Sequence, residues 1–151
     1  MEYSQTVPLN HQFGFKKRMF EVDPRIANEN ILLVDLHLSQ VYFKNDKENP
    51  WFILVPKRSN VSEIIDLGHE DQLLLMEEIN SVSQFLKEFY RPTKINVANL
   101  GNIVTQLHVH IIARFETDRA WPRAIWGTPT TQFFDQVEIE NIRSNFIDYV
   151  L

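Results

Sequence analysis

The chain has no cysteine, which removes disulfide frameworks, thiolate zinc sites and cysteine nucleophiles together and fits a reducing compartment. Nor does it have a surplus of positive charge: 15 Lys and Arg against 20 Asp and Glu leave a formal charge of −5. Holding a nucleic acid polymer takes clustered cations, so no such partner is expected, and any phosphate ligand has to be small and locally held. No apolar run approaches the roughly 20 residues that cross a bilayer, so no membrane partner is expected. Met1-Glu2-Tyr3-Ser4-Gln5 lacks the basic start and apolar core of a signal peptide, which makes the cytoplasm the expected location. Internal repeats and low-complexity segments are absent. The 151 residues, 44% hydrophobic and 23% charged, have the length and composition of one soluble domain with a substantial core.

Residues 1–14 carry few periodic cues and read as an N-terminal arm, in which His11 is given no role. Pro24 discourages helix at Asp23. Ile31-Leu32-Leu33-Val34-Asp35 and Gln40-Val41-Tyr42-Phe43-Lys44 are strand candidates. Asn45 to Pro50 is turn chemistry, and Trp51 to Val55 follows as a continuous apolar strand ending at Pro56, which completes a hairpin. From Glu70 the period changes: Leu75, Ile79, Val82, Leu86 and Phe89 share one face and predict an amphipathic helix. Gly68 breaks the chain before it, Glu70 and Asp71 suit its positive end, and Arg91-Pro92 stops it. His69, beside its start, is expected to be exposed. Lys94 to Ala98 reads as a strand, Asn99 to Thr105 as a turn, and Gln106 to Phe115 as the central strand, antiparallel to its neighbour. A loop with Trp121, Pro122, Trp126 and Pro129 follows, whose indoles are read as core cover, with stacking on a base as the alternative. Ile139, Ile142, Phe146 and Val150 predict a last helix from Glu138. This is an α+β order, with helices packed against an antiparallel sheet.

The chemistry is concentrated in Gln106-Leu107-His108-Val109-His110-Ile111-Ile112. Successive side chains of a strand point to opposite faces, so Gln106, His108 and His110 are expected on one face and Leu107, Val109 and Ile111 on the other. Two imidazoles held close by the pleat can donate or accept protons, bind an anion or a metal, or attack phosphorus.

This stretch resembles the signature of the histidine-triad (HIT) family, His-φ-His-φ-His-φ-φ with φ apolar. Asn96-Val97-Ala98-Asn99-Leu100-Gly101-Asn102 stands where the family has an Asn/Gly-containing turn. Gln106 takes the first triad position, His108 the central, nucleophilic one and His110 the third. The resemblance runs from about Phe15 to Phe115, which gives a HIT-like domain over 15–115 and a C-terminal extension, 116–151, packed on it. Asn45-Asp46 and Trp51-Phe52-Ile53-Leu54-Val55-Pro56-Lys57 look like the family's nucleoside-side hairpin. The resemblance implies a HIT-like antiparallel sheet, a homodimer whose sheets join, and a nucleotide pocket on each protomer.

It further implies that His108 attacks the α-phosphorus of a nucleotide, such as a dinucleoside polyphosphate or a nucleotide conjugate. A nucleotidyl-His108 intermediate would then be released by water as a nucleoside monophosphate. His110 would supply positive charge, and Asn99 and Asn102 would be donors to the phosphate. Asn45 or Asp46 would hold a ribose hydroxyl, although turn preference explains that pair equally well. Gln106 cannot exchange a proton near neutral pH, and its expected work is to orient His108 or a phosphate oxygen. No cofactor is expected, and no metal, since the two histidines lack thiolates or a well-spaced carboxylate beside them.

Two other classes fit the same residues. Gly101, His108, His110 and Glu116 come near the metal ligand pattern of cupin barrels, which would make the protein a metalloenzyme. The missing first histidine also suits a nucleotide-binding or sensor protein that performs no chemistry.

Overall fold

The computed structural model describes residues 19–151. The arm 1–14, with His11, and the beginning of the 15–115 segment therefore lie outside the described residues. Among the described residues the elements are α1 (Pro24–Ala27), β1 (Ile31–Asp35), β2 (Ser39–Lys44), β3 (Trp51–Pro56), α2 (His69–Tyr90), β4 (Lys94–Ala98), β5 (Val109–Arg114) and α3 (Gln136–Val150), with a 3₁₀ turn at Ile64–Asp66. Among the described residues the strands form a five-stranded sheet in the order β1-β2-β3-β5-β4, and every neighbouring pair is antiparallel. The α+β expectation holds. An open sheet flanked by two long helices leaves no place for the cupin reading, which needs an all-β barrel.

Burial explains why β3 reads as an unbroken apolar run. All six of its residues are buried, because both faces of the sheet are covered. Phe52 and Leu54 join Phe43, Val82, Phe85, Leu86, Val109, Ile111 and Phe146 under α2 and α3. Trp51, Ile53 and Val55 face the other way and pack with Tyr42, Ile112, Ile26, Ala120 and Ile125. Period two along the strand thus divides one apolar run between two cores.

The helices follow their local signals. Gly68 is the N-cap of α2, and Arg91 closes it in the left-handed region at φ 50°, its N–H on the Lys87 carbonyl. Leu75, Ile79, Val82 and Leu86 are buried as predicted, and His69 is exposed. Phe89, on the same stripe, is 45% exposed and stacks on Phe85 at 4.4 Å between ring centroids. In α3, Asp135 and Glu138 form a reciprocal capping box, which starts the helix at Gln136, ahead of the predicted Glu138. No helix among the described residues is long and apolar enough to cross a membrane.

Two expectations about the histidine strand are corrected. β5 lies between β3 and β4, so the middle of the sheet is β3. β5 also begins at Val109 rather than Gln106. Its pairing with β3 ends at Leu54 opposite Val109, and the Leu107 N–H bonds instead to the carbonyl of Val61. A loop thus takes over the backbone donor that would have extended the ladder, and Gln106 and His108 approach the sheet as an ordered entry segment.

Candidate active site

His108 and His110 lie side by side, 4.8 Å apart between ring centroids and nearly perpendicular, and both rings are buried. The Nδ1 of His108 is 2.7 Å from the main-chain carbonyl of Gln106. A carbonyl oxygen only accepts, so Nδ1 carries the ring proton and the Nε2 lone pair is free. Among the described residues Nε2 has no hydrogen-bond partner. The 99–104 loop comes close to this ring because residue 101 is glycine: a Cβ there would stand 2.8 Å from the Val104 carbonyl oxygen and 3.7 Å from His108 Cε1.

His110 is held differently. The Trp51 indole N–H donates to its Nδ1 at 3.0 Å, and Trp126 packs edge-on against both rings, at 5.5 Å from His110 and 5.6 Å from Trp51. Burial lowers the His110 pKa from 6.5 to about 4, with His108 and Lys44 lowering it further and the Leu100 carbonyl opposing them. In the free protein His110 is therefore neutral at pH 7. The positive charge expected of His110 is thus not present in the ligand-free cleft, because a dry site charges a base only when a stronger counter-charge is present.

The two histidines open onto a cleft of about 540 Å³. Its apolar side is built by Ile26 of α1, Trp51 and Ile53 of β3, Val104 and Trp126. Lys44, Arg25, Glu29, Asn30 and Asn102 contribute its polar groups. The Lys44 ammonium lies 4.4 Å from the centre of the Trp51 ring, and Arg25 donates to the Ile103 carbonyl and is paired with Asp23. A mostly apolar concavity with a few polar groups beside an activated ring nitrogen suits a flat, partly apolar ligand carrying an electrophilic, negatively charged group.

The residues singled out from the sequence separate into two sets. His108, His110 and Asn102 meet at the cleft. Gln106 contributes its backbone there, but its side chain faces the opposite way. The amide oxygen accepts from the Asp23 N–H at 2.7 Å and the amide nitrogen donates to the Glu21 carbonyl at 2.8 Å. The expectation that this side chain orients His108 is corrected: the main-chain carbonyl does so, and the amide fastens the segment leading into α1. Asn45 exchanges two hydrogen bonds with the backbone of Phe134. Asp46 is fully buried and taken up by Arg119 and Thr130. Neither lines the cleft, and both brace the C-terminal extension. The Asn99 amide is engaged by the Glu63 carboxylate. Trp51 was marked in the sequence only as part of the nucleoside-side hairpin, and Lys44 and Ile26 were given no site role; only their shared face could have marked them.

Comparison with known proteins agrees with this geometry. The HIT domain family profile matches residues 26–117. A histidine triad protein from Bradyrhizobium japonicum is 42% identical, covering 88% of this chain and 99% of that one, with a TM-score of 0.84. A histidine triad protein from Sinorhizobium meliloti 1021 is 38% identical over 86% of this chain and 96% of its own, with a TM-score of 0.81. One from Marinobacter aquaeolei VT8 is 34% identical over 87% and 96%, with a TM-score of 0.82. No curated protein matches the chain. The family match takes in the whole sheet and both histidines, and the related structures align along nearly their full length, so the chain belongs to the HIT domain family.

Proposed function

We propose that the protein is a nucleotide hydrolase or nucleotidyl transferase that cleaves at the α-phosphate through a nucleotidyl-His108 intermediate. The observation that carries this reading is the His108 Nδ1 proton held on the Gln106 carbonyl at 2.7 Å. That contact presents Nε2 as a neutral nucleophile and stabilises the cation formed when it bonds to phosphorus. The apolar wall of Ile26, Trp51, Ile53 and Trp126 suits a nucleoside, and Lys44 and Asn102 line the same cleft for the phosphates. Transfer from phosphorus is governed mainly by positioning and charge, which such a cleft can supply. No metal or cofactor enters this step. One equivalent of zinc, iron or manganese per chain, with activity that follows it, would count against the reading.

The reading includes a homodimer, because β4 is an edge strand with Val97 48% exposed on it, and an unpaired edge invites a second sheet. Sedimentation of the purified protein tests that part.

The chemistry is tested by incubating the full chain with a nucleotide panel, quenching in acid and mapping the adduct by mass spectrometry. The expected result is a mass increase of one nucleoside monophosphate on His108. Nucleotide binding with neither adduct nor turnover across the panel would leave a binding protein in place of an enzyme.

A further inference from the structure

The contact between Trp51 and His110 fixes a protonation state as well as a position. In the β3/β5 register Ile53 stands opposite His110 and Trp51 opposite Ile112, so Trp51 and His110 are diagonal neighbours on the cleft face. An indole N–H can only donate. At 3.0 Å from it, His110 Nδ1 must offer its lone pair, and the ring proton resides on Nε2. Protonating Nδ1 would set one N–H against another. The other groups facing this ring are His108 from the segment leading into β5, Lys44 from β2 and the Leu100 carbonyl from the 99–104 loop, of which only the carbonyl favours a charged imidazole. Arg25 and Glu29 line the same cleft. Gln106, with its amide bound to residues 21 and 23, has no proton to give.

We propose that Trp51 is a positioning residue that holds His110 as a neutral Nε2–H hydrogen-bond donor, so that the cleft takes phosphoanhydrides, whose leaving group departs as a stable anion, over alkyl esters and amidates, whose leaving group needs a proton. This rests on nucleotidyl transfer by His108. In that step the His108 Nε2 lone pair forms the N–P bond, the P–O bond to the leaving group breaks, and its electron pair stays on the departing phosphate oxygen. Water then attacks phosphorus, the N–P electron pair returns to Nε2, and the proton of the water passes to solvent. His110 donates a hydrogen bond to a phosphate oxygen throughout and transfers no proton.

Nitrogen-15 spectra of the full chain read the ring nitrogens directly. Between about pH 5 and 8, His110 is expected to keep its proton on Nε2 and not to titrate. Trp51→Phe is expected to spread that proton over both nitrogens and move the titration midpoint upward. In single-turnover assays a dinucleoside polyphosphate and nucleotide esters of acidic phenols should react, while a nucleotide methyl ester lags by the about 10²–10⁴-fold that a positioned proton donor contributes. A wild-type His110 protonated on Nδ1, or titrating within that range, overturns the role of Trp51, and needs no variant to be seen. Rates independent of leaving-group acidity overturn the substrate preference. Absence of any His108 adduct with every probe removes nucleotidyl transfer itself, and the spectra still decide what Trp51 does.

Discussion

His108 Nδ1 and the main-chain carbonyl of Gln106 lie 2.7 Å apart, joined within a turn of chain that no side-chain substitution at position 106 can delete. The tautomer of the proposed nucleophile is therefore a backbone property. His108→Ala removes the proposed attacking atom without touching the apolar wall of the cleft, so turnover should fall by several orders of magnitude while nucleotide affinity changes little. Calorimetric binding beside single-turnover rates checks this, and near wild-type turnover in the variant refutes the assignment.

The Gln106 side chain has a separate task. Its two hydrogen bonds hold residues 21 and 23, just before α1 brings Arg25 and Ile26 to the cleft. Gln106→Ala should cost about 1–3 kcal/mol of stability, from two lost bonds to backbone groups. It should raise KM more than it lowers kcat, because it loosens a wall and leaves His108 in place. A kcat loss comparable to that of His108→Ala would show that the amide acts in the chemistry after all.

Gly101 tests how closely the loop must approach. Gly101→Ala places a methyl group 2.8 Å from the Val104 carbonyl, so the loop has to shift, at a cost of about 1–3 kcal/mol, as for overpacking elsewhere. The His108 ring signals should move and turnover should drop. Unchanged spectra and rates would mean that the loop accommodates the methyl group freely.

The extension after β5 is anchored by charge. Arg114 and Asp118 pair at 2.7 Å with side chains 2% and 0% exposed, and Asp118 also accepts from Asn49 and from the Phe115 and Ala120 N–H groups. These bonds hold its carboxyl well below the usual carboxylate range, against the opposing effect of burial. A carboxylate with a depressed folded pKa stabilises above its unfolded value of 3.8, and that stability is lost as pH falls through the folded value. Asp118→Ala should cost about 3–5 kcal/mol by leaving the Arg114 guanidinium buried without its counter-charge. Urea unfolding at pH 7 measures it, and a loss below about 1 kcal/mol, the value of an exposed pair, would contradict the buried geometry.

His110 contributes a second acid sensitivity. Its pKa falls from 6.5 to about 4 on folding, so between those values the unfolded chain binds more protons and stability declines as pH is lowered. The whole effect is on the order of 3 kcal/mol. His110→Gln keeps an acceptor for Trp51 without a titrating ring, and should flatten the unfolding free energy between about pH 4 and 6.5. An equally steep curve in the variant would locate the dependence elsewhere.

What the sequence determined by itself is whatever rests on neighbours in the chain. The α2 stripe of Leu75, Ile79, Val82 and Leu86, the Asn45 to Pro50 turn and the apolar run of β3 are local periodicities, and each was legible before any contact was known. The His108 and His110 pair was legible too, since residues two apart in extended chain share a face, although only His110 lies within β5. The partners of those rings were not. Trp51 reaches His110 across 59 positions of sequence, Gln106 reaches Glu21 across 85, and Asn45 reaches Phe134 across 89. Polar side chains are satisfied by whichever backbone or ring the sheet register brings within about 3 Å. Gln106 therefore turned from the histidines to the α1 segment, Asn45 and Asp46 turned to the C-terminal extension, and a tryptophan that reads as part of a hairpin strand became the donor to His110 Nδ1.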